Sequence, residues 1–279
     1  MEIITLIENE ISEGSSGLKK EAGLSLFIRS GDMNILFDTG SSGAFADNAE
    51  KLGVDLTKVD FVVISHAHFD HTGGLERFFG INKEAKVYIR EQATGQYYYK
   101  VLFLKKYIGV DQKLLEKYAG RFIFVKDDLQ INENIRIVTH FSGKHPLPSD
   151  SKHILMKKDG KLVPDDFVHE HMLVINDGDK VYCFTGCSHH GILNMVESVP
   201  VEEKNRLFVI GGFHMYNPVT KGLSEKKEDV IRTAQLFDAN PNIEKILTGH
   251  CTGMGAFGLL KGVLGDKLES IATGSKIKL

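Results

Sequence analysis

Long apolar runs, paired cysteines and an excess of basic residues are all missing from this chain of 279 residues. No stretch approaches the roughly 18 consecutive apolar residues that a membrane helix needs, so we expect no membrane partner. Three cysteines are too few, and of the wrong parity, for a disulfide framework. A formal net charge of -3, with lysine and arginine scattered along the chain, disfavours nucleic acid as a partner.

Signals for export and repetition are missing as well. The opening segment MEIITLIENE has neither the basic nor the apolar region of a secretory signal. Together with the unpaired cysteines, this predicts a cytoplasmic protein. No low-complexity tract or short repeat is present, which excludes solenoids and coiled coils. We expect residues 1–279 to form a single α/β domain, and the sequence indicates no oligomeric state.

Apolar segments separated by turn-forming residues predict two similar halves. The first half contains the strand patterns EIITLIE, LSLFIRS and NILFDTG, a helix over AFADNAEKLG, and the buried strand FVVIS at 61–65. The second half has HMLVIN, VYCFTG, a helix led by Gly191, RLFVIGG, a helix over SEKKEDVIRTAQLFDA, and KILTGH. Between about 91 and 120, a pattern rich in Tyr and Lys predicts a helical insertion or lid.

The densest group of reactive side chains follows FVVIS directly. The segment SHAHFDHTGG places His66, His68, Asp70 and His71 within six residues. Neutral imidazole nitrogens and carboxylates are ligands that zinc accepts at about 2.0–2.2 Å. We expect His66 and His68 to share one metal, and Asp70 and His71 to face a second. A polar loop of hydrogen-bonded histidines is disfavoured, because so dense a pattern seldom arises by chance.

At these residues the chain resembles the metallo-β-lactamase fold superfamily, whose signature is His-x-His-x-Asp-His followed by small residues. The segments LFDTG (36–40), TGCSHHG (185–191), GGFH (211–214) and GHCTG (249–253) extend the resemblance over nearly the whole chain. They resemble a subgroup described as dihydropterin-ribofuranosylaminobenzene-phosphate synthase-like hydrolases. The resemblance implies a four-layer αββα sandwich with a helical insertion in its first half.

The resemblance also implies further ligands. These are His189, with His190 as the alternative, for the first metal, and His250 for the second. Cys187 stands where many superfamily members carry an Asp that bridges the two metals. Three arrangements therefore stay open: a bridging hydroxide with six protein ligands, a thiolate from Cys187, or a single well-occupied metal.

Two residues outside the ligand set are candidates for supporting roles. Asp38, at the end of NILFD, is placed to accept a hydrogen bond from a ligating histidine, although a purely local turn bond is the alternative. His214 is a candidate proton donor or substrate contact, with a structural histidine as the alternative. The histidines without convergent spacing are predicted not to bind metal: His140, His145, His153, His169 and His171.

This set of residues predicts a hydrolase that uses metal-activated water, with Asp70 as a catalytic residue that orients the water. One or two zinc ions are expected, with manganese or ferrous iron as substitutes. Gly73 and Gly74 would let backbone amides approach an anion, which favours a small phosphorylated or carboxylated ester. The alternatives are a metal-binding sensing module without turnover and a phosphodiesterase or nuclease. A di-iron centre is disfavoured because His68 stands where such proteins usually place a carboxylate.

Overall fold

Twenty strands and seven α-helices make up the structure, a computed structural model that describes residues 1–279. In chain order, the elements up to residue 138 are β1 (Glu2–Ile7), β2 (Ser25–Ser30), β3 (Met33–Phe37), α1 (Ala44–Leu52), β4 (Phe61–Val63), α2 (Phe69–Thr72), α3 (Leu75–Ile81), β5 (Lys86–Arg90), β6 (Tyr97–Val101), β7 (Leu104–Tyr107), α4 (Gln112–Lys117), β8 (Phe122–Val125), β9 (Leu129–Gln130) and β10 (Ile135–Val138). The later elements are β11 (Ile154–Lys158), β12 (Lys161–Pro164), β13 (Met172–Asp177), β14 (Lys180–Phe184), α5 (Ile192–Glu197), β15 (Arg206–Gly211), β16 (Tyr216–Asn217), β17 (Gly222–Leu223), α6 (Lys227–Ala239), β18 (Ile243–Thr248), α7 (Gly253–Leu264), β19 (Leu268–Ser270) and β20 (Lys276–Lys278).

Two seven-stranded sheets lie at the centre of the fold. Their strand orders are β20-β1-β2-β3-β4-β5-β8 and β19-β18-β15-β14-β13-β10-β9. Apolar side chains from both sheets share one core between them, while α1, α3 and α4 cover the outer face of the first sheet and α5, α6 and α7 cover that of the second. The four-layer αββα sandwich with two similar halves is therefore confirmed.

Burial on both faces explains why the central strands read as unbroken apolar runs. In β3, Ile35 and Phe37 point into the core between the sheets, whereas Leu36 points into the helical layer. All three side chains are fully buried. Burying one such side chain stabilises the fold by about 1.5–3 kcal/mol, so a strand of this kind is fixed in register on both faces.

The predicted helical insertion at 91–120 is wrong for most of its length. Residues 97–107 form the hairpin of β6 and β7, and only Gln112–Lys117 is α-helical. The hairpin belongs to a four-stranded sheet of order β12-β11-β6-β7, in which Tyr99 pairs with Ile154. Tyrosine and valine favour strands, and pairing with a distant strand decides the conformation, which a local periodicity does not reveal.

The strand ends bring the predicted site residues to one edge of the sandwich. Strands β3 and β4 are parallel neighbours in the first sheet, and β14, β15 and β18 are parallel neighbours in the second. Asp38 follows β3, and the segment containing His66 to His71 follows β4. The segments of Cys187, His214 and His250 follow β14, β15 and β18 in turn. Ligand sites of open α/β sheets form at such carboxyl ends.

None of the helices combines the length and the apolar character that a membrane span requires.

Candidate metal centre

Three imidazoles form the first part of the centre. The ring centroids of His66, His68 and His189 lie 4.6, 4.7 and 4.8 Å from one another, and Nδ1 of His68 lies 3.1 Å from Nε2 of His189. All three side chains are buried, and Nε2 of His66 has no hydrogen-bond partner. A buried polar atom without a partner costs about 1–3 kcal/mol. Such a nitrogen, beside two other imidazoles, is a suitable metal donor.

The second part contains Asp70, His71, Cys187 and His250. The Cys187 Sγ atom lies 3.3 Å from Nε2 of His71 and 3.3 Å from Nε2 of His250. Oδ2 of Asp70 lies 3.7 and 3.4 Å from the same two nitrogens. Ligands about 2.0–2.3 Å from a tetrahedral zinc ion are separated from one another by roughly 3.3–3.7 Å. These four distances are those expected between ligands of a tetrahedral zinc ion.

Asp38 orients two of the histidines. Its Oδ2 lies 2.6 Å from Nδ1 of His71 and accepts the Ser65 hydroxyl proton at 2.7 Å. Because that hydroxyl donates to Asp38, its oxygen accepts the Nδ1 proton of His66, 2.9 Å away. Both imidazoles therefore carry their proton on Nδ1 and present a free Nε2 towards the donor clusters. The structure places Asp38 where the sequence analysis expects it, while its effect on a metal stays a prediction.

His250 is oriented by the N-terminal segment. Asn9 Oδ1 accepts the Gly23 amide proton at 3.1 Å, which fixes this oxygen as an acceptor. It therefore also accepts the Nδ1 proton of His250, at 2.9 Å, so that Nε2 is the nitrogen that points towards Asp70 and Cys187. Glu8 accepts the His250 backbone amide proton. These contacts join residues about 240 positions apart, and no local sequence signal marks Glu8 or Asn9 as part of the site.

Burial sets the charge of the donors. It lowers the pKa of His68 to about 3 and holds the pKa values of His66 and His189 well below the usual histidine value. These imidazoles are neutral at pH 7, which is the form that binds metal. Burial raises the pKa of Asp70, but His71 and His250 outweigh it and lower the pKa below its ordinary value. Asp70 is therefore ionised.

His214 lies against the first cluster. Its ring is 4.3 Å from that of His189, and neither of its ring nitrogens has a hydrogen-bond partner. Burial opposes the charged form, but Cys251 in its thiolate form and the Asp150 and Glu170 carboxylates raise the pKa of His214 above its ordinary value. The side chain thus holds a proton more readily than an ordinary histidine and lies beside the donors.

Two buried carboxylates position the ligand segments. Glu170 accepts the backbone amide protons of His189 and His190 at 2.8 and 2.9 Å, and lies 2.8 Å from Nδ1 of His190. This contact turns the His190 ring away from the cluster, so His189 is the one that faces His68. Asp165 lies 3.0 Å from Nε2 of His169, whose Nδ1 accepts the Ala67 amide proton at 3.2 Å.

The histidines expected not to bind metal lie in different surroundings. His140 pairs with Asp128 and His145 with Glu197, and the His153 ring faces Tyr99. His169 differs from these three because its ring lies beside that of His68 at the candidate centre. Both of its ring nitrogens already have hydrogen-bond partners, Ala67 and Asp165. His171 is buried with no hydrogen-bond partner for either ring nitrogen, and burial lowers its pKa to about 3. No sequence pattern predicts the supporting roles of His169 and Glu170, although the adjacent residues His169, Glu170 and His171 bring polar side chains together.

The Gly73 amide is not free to bind a substrate anion. The Gly73 amide donates to the carbonyl oxygens of Gly40 and Phe69 at 2.9 and 2.8 Å. A Cβ atom added to Gly73 would lie 2.1 Å from the Ser41 backbone oxygen, and one added to Gly74 would lie 2.2 Å from the Thr39 backbone oxygen. These glycines therefore allow α2 and α3 to pack closely against residues 39–42. For Gly73, this corrects the expectation that its amide binds a substrate anion.

Comparisons with known proteins identify relatives of this chain in sequence and in fold. The crystal structure of Tm1679, a metal-dependent hydrolase of the beta-lactamase superfamily, is 27% identical, with a TM-score of 0.82 over 100% of this chain and 99% of that chain. The 7,8-dihydropterin-6-methyl-4-(beta-D-ribofuranosyl)-aminobenzene-5'-phosphate synthase of Methanocaldococcus jannaschii is 28% identical over 260 residues, 88% of this chain and 84% of that protein. Zn(2+)-bound PqqB from Methylobacterium extorquens shares the fold alone, with a TM-score of 0.61 and 10% identity over all of both chains.

A family model covers most of the chain and all of the donor residues except His250. The model of the metallo-beta-lactamase superfamily matches residues 18–232, which include the segment from His66 to His71 as well as Cys187 and His189. The chain belongs to the metallo-beta-lactamase superfamily.

Proposed function

We propose that this protein is a metal-dependent hydrolase of small, anionic, ester-like substrates. The observation that carries the proposal is the pair of adjoining donor clusters, with Cys187 common to both. When bound, divalent metals lower the pKa of water towards about 7 and polarise an ester or phosphoryl oxygen. The side chains that would hold them are His66, His68 and His189 in one cluster and Asp70, His71 and His250 in the other, with Cys187 between.

The donor chemistry favours zinc. Neutral imidazoles suit zinc and ferrous iron, and a thiol is a poor ligand for manganese or magnesium. The fold family binds divalent metals, commonly zinc, and the donor spacing around Cys187 fits a tetrahedral ion. We therefore place zinc first and manganese last among the expected ions, with two as the expected number.

Asp70 and His214 are the proposed catalytic residues. The Asp70 side chain is 22% exposed, in contrast to the buried His71 beside it, so a water molecule can reach its carboxylate. An ionised carboxylate at that position accepts a hydrogen bond from the attacking water and orients it. His214, whose ring lies 4.3 Å from that of His189 and whose ring nitrogens are both unpaired, would donate a proton to the leaving group.

Charge and access support a small anion as substrate. Among the metal donors, Asp70 and Cys187 carry at most two negative charges, against four positive charges on two divalent ions. The direct ligands would therefore leave a positive balance at the ions themselves, which favours an anionic substrate group as a further ligand. Strand β6 packs beside the site, since the Tyr97 ring lies 6.3 Å from that of His68. The burial of the histidine ligands favours a compact substrate over a nucleic-acid strand.

A second candidate is group transfer to an acceptor other than water. The similarity to a synthase over most of both chains favours it. The same metal ligands would be used, with His214 as the proton donor, but a second organic substrate would accept the transferred group in place of water. A sensing module and a phosphodiesterase are further alternatives, and one assay distinguishes all of these functions.

Zinc-loaded protein would be assayed on phosphomonoesters, phosphodiesters, carboxylic esters and lactones in water enriched in oxygen-18. Hydrolysis predicts turnover with the heavy oxygen in the product. His214→Asn, which tolerates the left-handed backbone at this position (φ 51°), is expected to lower kcat by about 10²–10⁴-fold at unchanged metal content. Turnover only with an organic acceptor would indicate transfer, and full metal content without any turnover would indicate a sensing module.

A further inference from the structure

We propose that Cys187 is a thiolate ligand shared by both metals, in place of the carboxylate that bridges them in many superfamily members. The inference rests on the proposed function, because it assigns a ligand within the same site. Cys187 follows β14 and is buried. Its sulfur belongs to the cluster of Asp70, His71 and His250, and it also lies within 4.8 Å of ligand atoms of His66 and His189. A single sulfur atom between two sets of donors can serve both only by bridging.

The position of this sulfur is fixed by close packing. Cys187 follows Gly186, where a Cβ atom would lie 2.0 Å from Oγ of Ser65 and 2.9 Å from Nδ1 of His66. The segment carrying Cys187 therefore rests directly on the segment carrying His66. The Sγ atom is in turn 3.3 Å from Nε2 of both His71 and His250. The sulfur lies where it is because two segments meet there without space for another side chain.

Neither of the other two cysteines takes this position. Cys251 lies near Cys187, but its sulfur accepts the His214 amide proton at 3.2 Å and faces the Cys187 carbonyl oxygen at 3.6 Å. It shares a cluster only with Cys187 and His214. Cys183 lies within β14, with its side chain in the core beneath the outer helices. Both supply matched controls, one adjacent to the site and one remote from it.

Deprotonation of Cys187 on metal binding affects which metal the site prefers. On metal binding the S–H bond of Cys187 breaks, its proton leaves to solvent, and sulfur lone pairs form one bond to each ion. Thiolate favours zinc and ferrous iron over manganese, which prefers oxygen ligands. Cys187→Asp should therefore still bind two metals but accept manganese more readily than the wild type.

Cobalt(II) titration of the chelator-treated protein tests the inference without reference to activity. Thiolate ligation gives a sulfur-to-cobalt charge-transfer band in the near ultraviolet, and a shared thiolate makes this band grow through the second equivalent of cobalt. Cys183→Ala and Cys251→Ser should keep the band. Cys187→Ser and Cys187→Asp should lose it, and the aspartate variant should still bind two cobalt ions, which shows that its fold is intact.

Three results would overturn the shared thiolate: a band that stops growing after one equivalent, a band that persists in both Cys187 variants, or two bound cobalt ions without any band. Each of these leaves the hydrolase proposal standing, because the metals are bound. A wild-type chain that binds no cobalt would contradict the proposed function as well, so the two failures are distinguishable.

Discussion

Asp38, His214 and His250 adopt left-handed backbone conformations, with φ values of 59°, 51° and 51°, although none of them is a glycine. Such a conformation costs about 1–3 kcal/mol at a residue with a side chain. All three residues follow the carboxyl ends of central strands and lie at the candidate metal centre. Backbone strain at these three positions therefore occurs where the chain must turn its side chains back towards the donors, whereas Leu102, Asp159 and Lys221 adopt the same conformation elsewhere in the chain.

Asp38→Asn tests the orienting role of Asp38. Asparagine keeps the shape and tolerates the left-handed backbone, but it no longer offers two carboxylate oxygens to Ser65 and His71. Loss of such a partner typically weakens metal binding by about 10–100-fold. Zinc affinity measured by chelator competition should fall by this factor, while Asp55→Asn, at a surface helix start, should change nothing. Equal affinities in the two variants would contradict the orienting role.

Glu170→Gln tests how much the carboxylate beneath His189 stabilises the fold. Burial raises the pKa of Glu170, but its hydrogen bonds with His190 and the two backbone amides outweigh burial and lower it below 4.5. The stabilisation is therefore present above the unfolded-state pKa and is lost as pH falls through the lower folded-state value. In the metal-free chain, the variant should lose about 1–3 kcal/mol of unfolding free energy at pH 7.

Urea unfolding at pH 7 and at pH 3.5 supplies the measurement for Glu170. The difference in unfolding free energy between the wild type and the variant should be smaller at the lower pH, because protonation of Glu170 removes the charge that the variant lacks. Glu197→Gln is the control, since the partly exposed Glu197 contacts His145 and its replacement should cost no more than about 1 kcal/mol. A difference that is equal at both pH values would show that the ionised form contributes nothing.

At the scale of elements, helix α3 offers a matched pair of glycines. A Cβ atom at Gly74, its N-terminal cap, would lie 2.2 Å from the Thr39 oxygen, whereas one at Gly80 would meet nothing within 4 Å. Gly74→Ala should therefore destabilise the protein by about 1–3 kcal/mol or more. Gly80→Ala should stabilise it by about 0.4–1 kcal/mol. Thermal unfolding of both variants checks the prediction, and an unchanged midpoint for Gly74→Ala would contradict the packing described.

The elements that could be predicted from sequence are those with strong local patterns. Strands β3, β4, β14, β15 and β18 are apolar runs next to turns, and they lead into the site. Helix α7 was not predicted, because its glycines (Gly253, Gly255, Gly258 and Gly262) disfavour a helix. Tertiary packing of Ala256, Leu260 and Leu264 into the core overrides that preference.

The same distinction applies to the candidate site. The residues of the His66 to His71 segment are visible in sequence because one strand end carries them all. Glu170 and Asn9 are not, because each meets its partner only after folding. His250 lies 241 positions from Asn9, and no local pattern records a contact of that separation.

At the scale of the whole molecule, the donors come from both halves of the sandwich. His66, His68, Asp70 and His71 belong to the first half, whereas Cys187, His189 and His250 belong to the second. Strand β20, near the end of the chain, pairs with β1 at its beginning, and the segment after β1 holds His250. Metal binding should therefore stabilise the two halves together, by about 2.7 kcal/mol when free metal exceeds its dissociation constant a hundredfold.

Elemental analysis of the purified protein tests the central claim most directly, because it needs no knowledge of the substrate. The account predicts about two zinc ions per chain for the wild type and for His153→Ala, whose ring lies outside the donor clusters. His66→Ala/His68→Ala should lose at least one of the two ions. A wild-type chain that holds no metal even after reconstitution with zinc, or a double variant with undiminished metal content, would contradict the account.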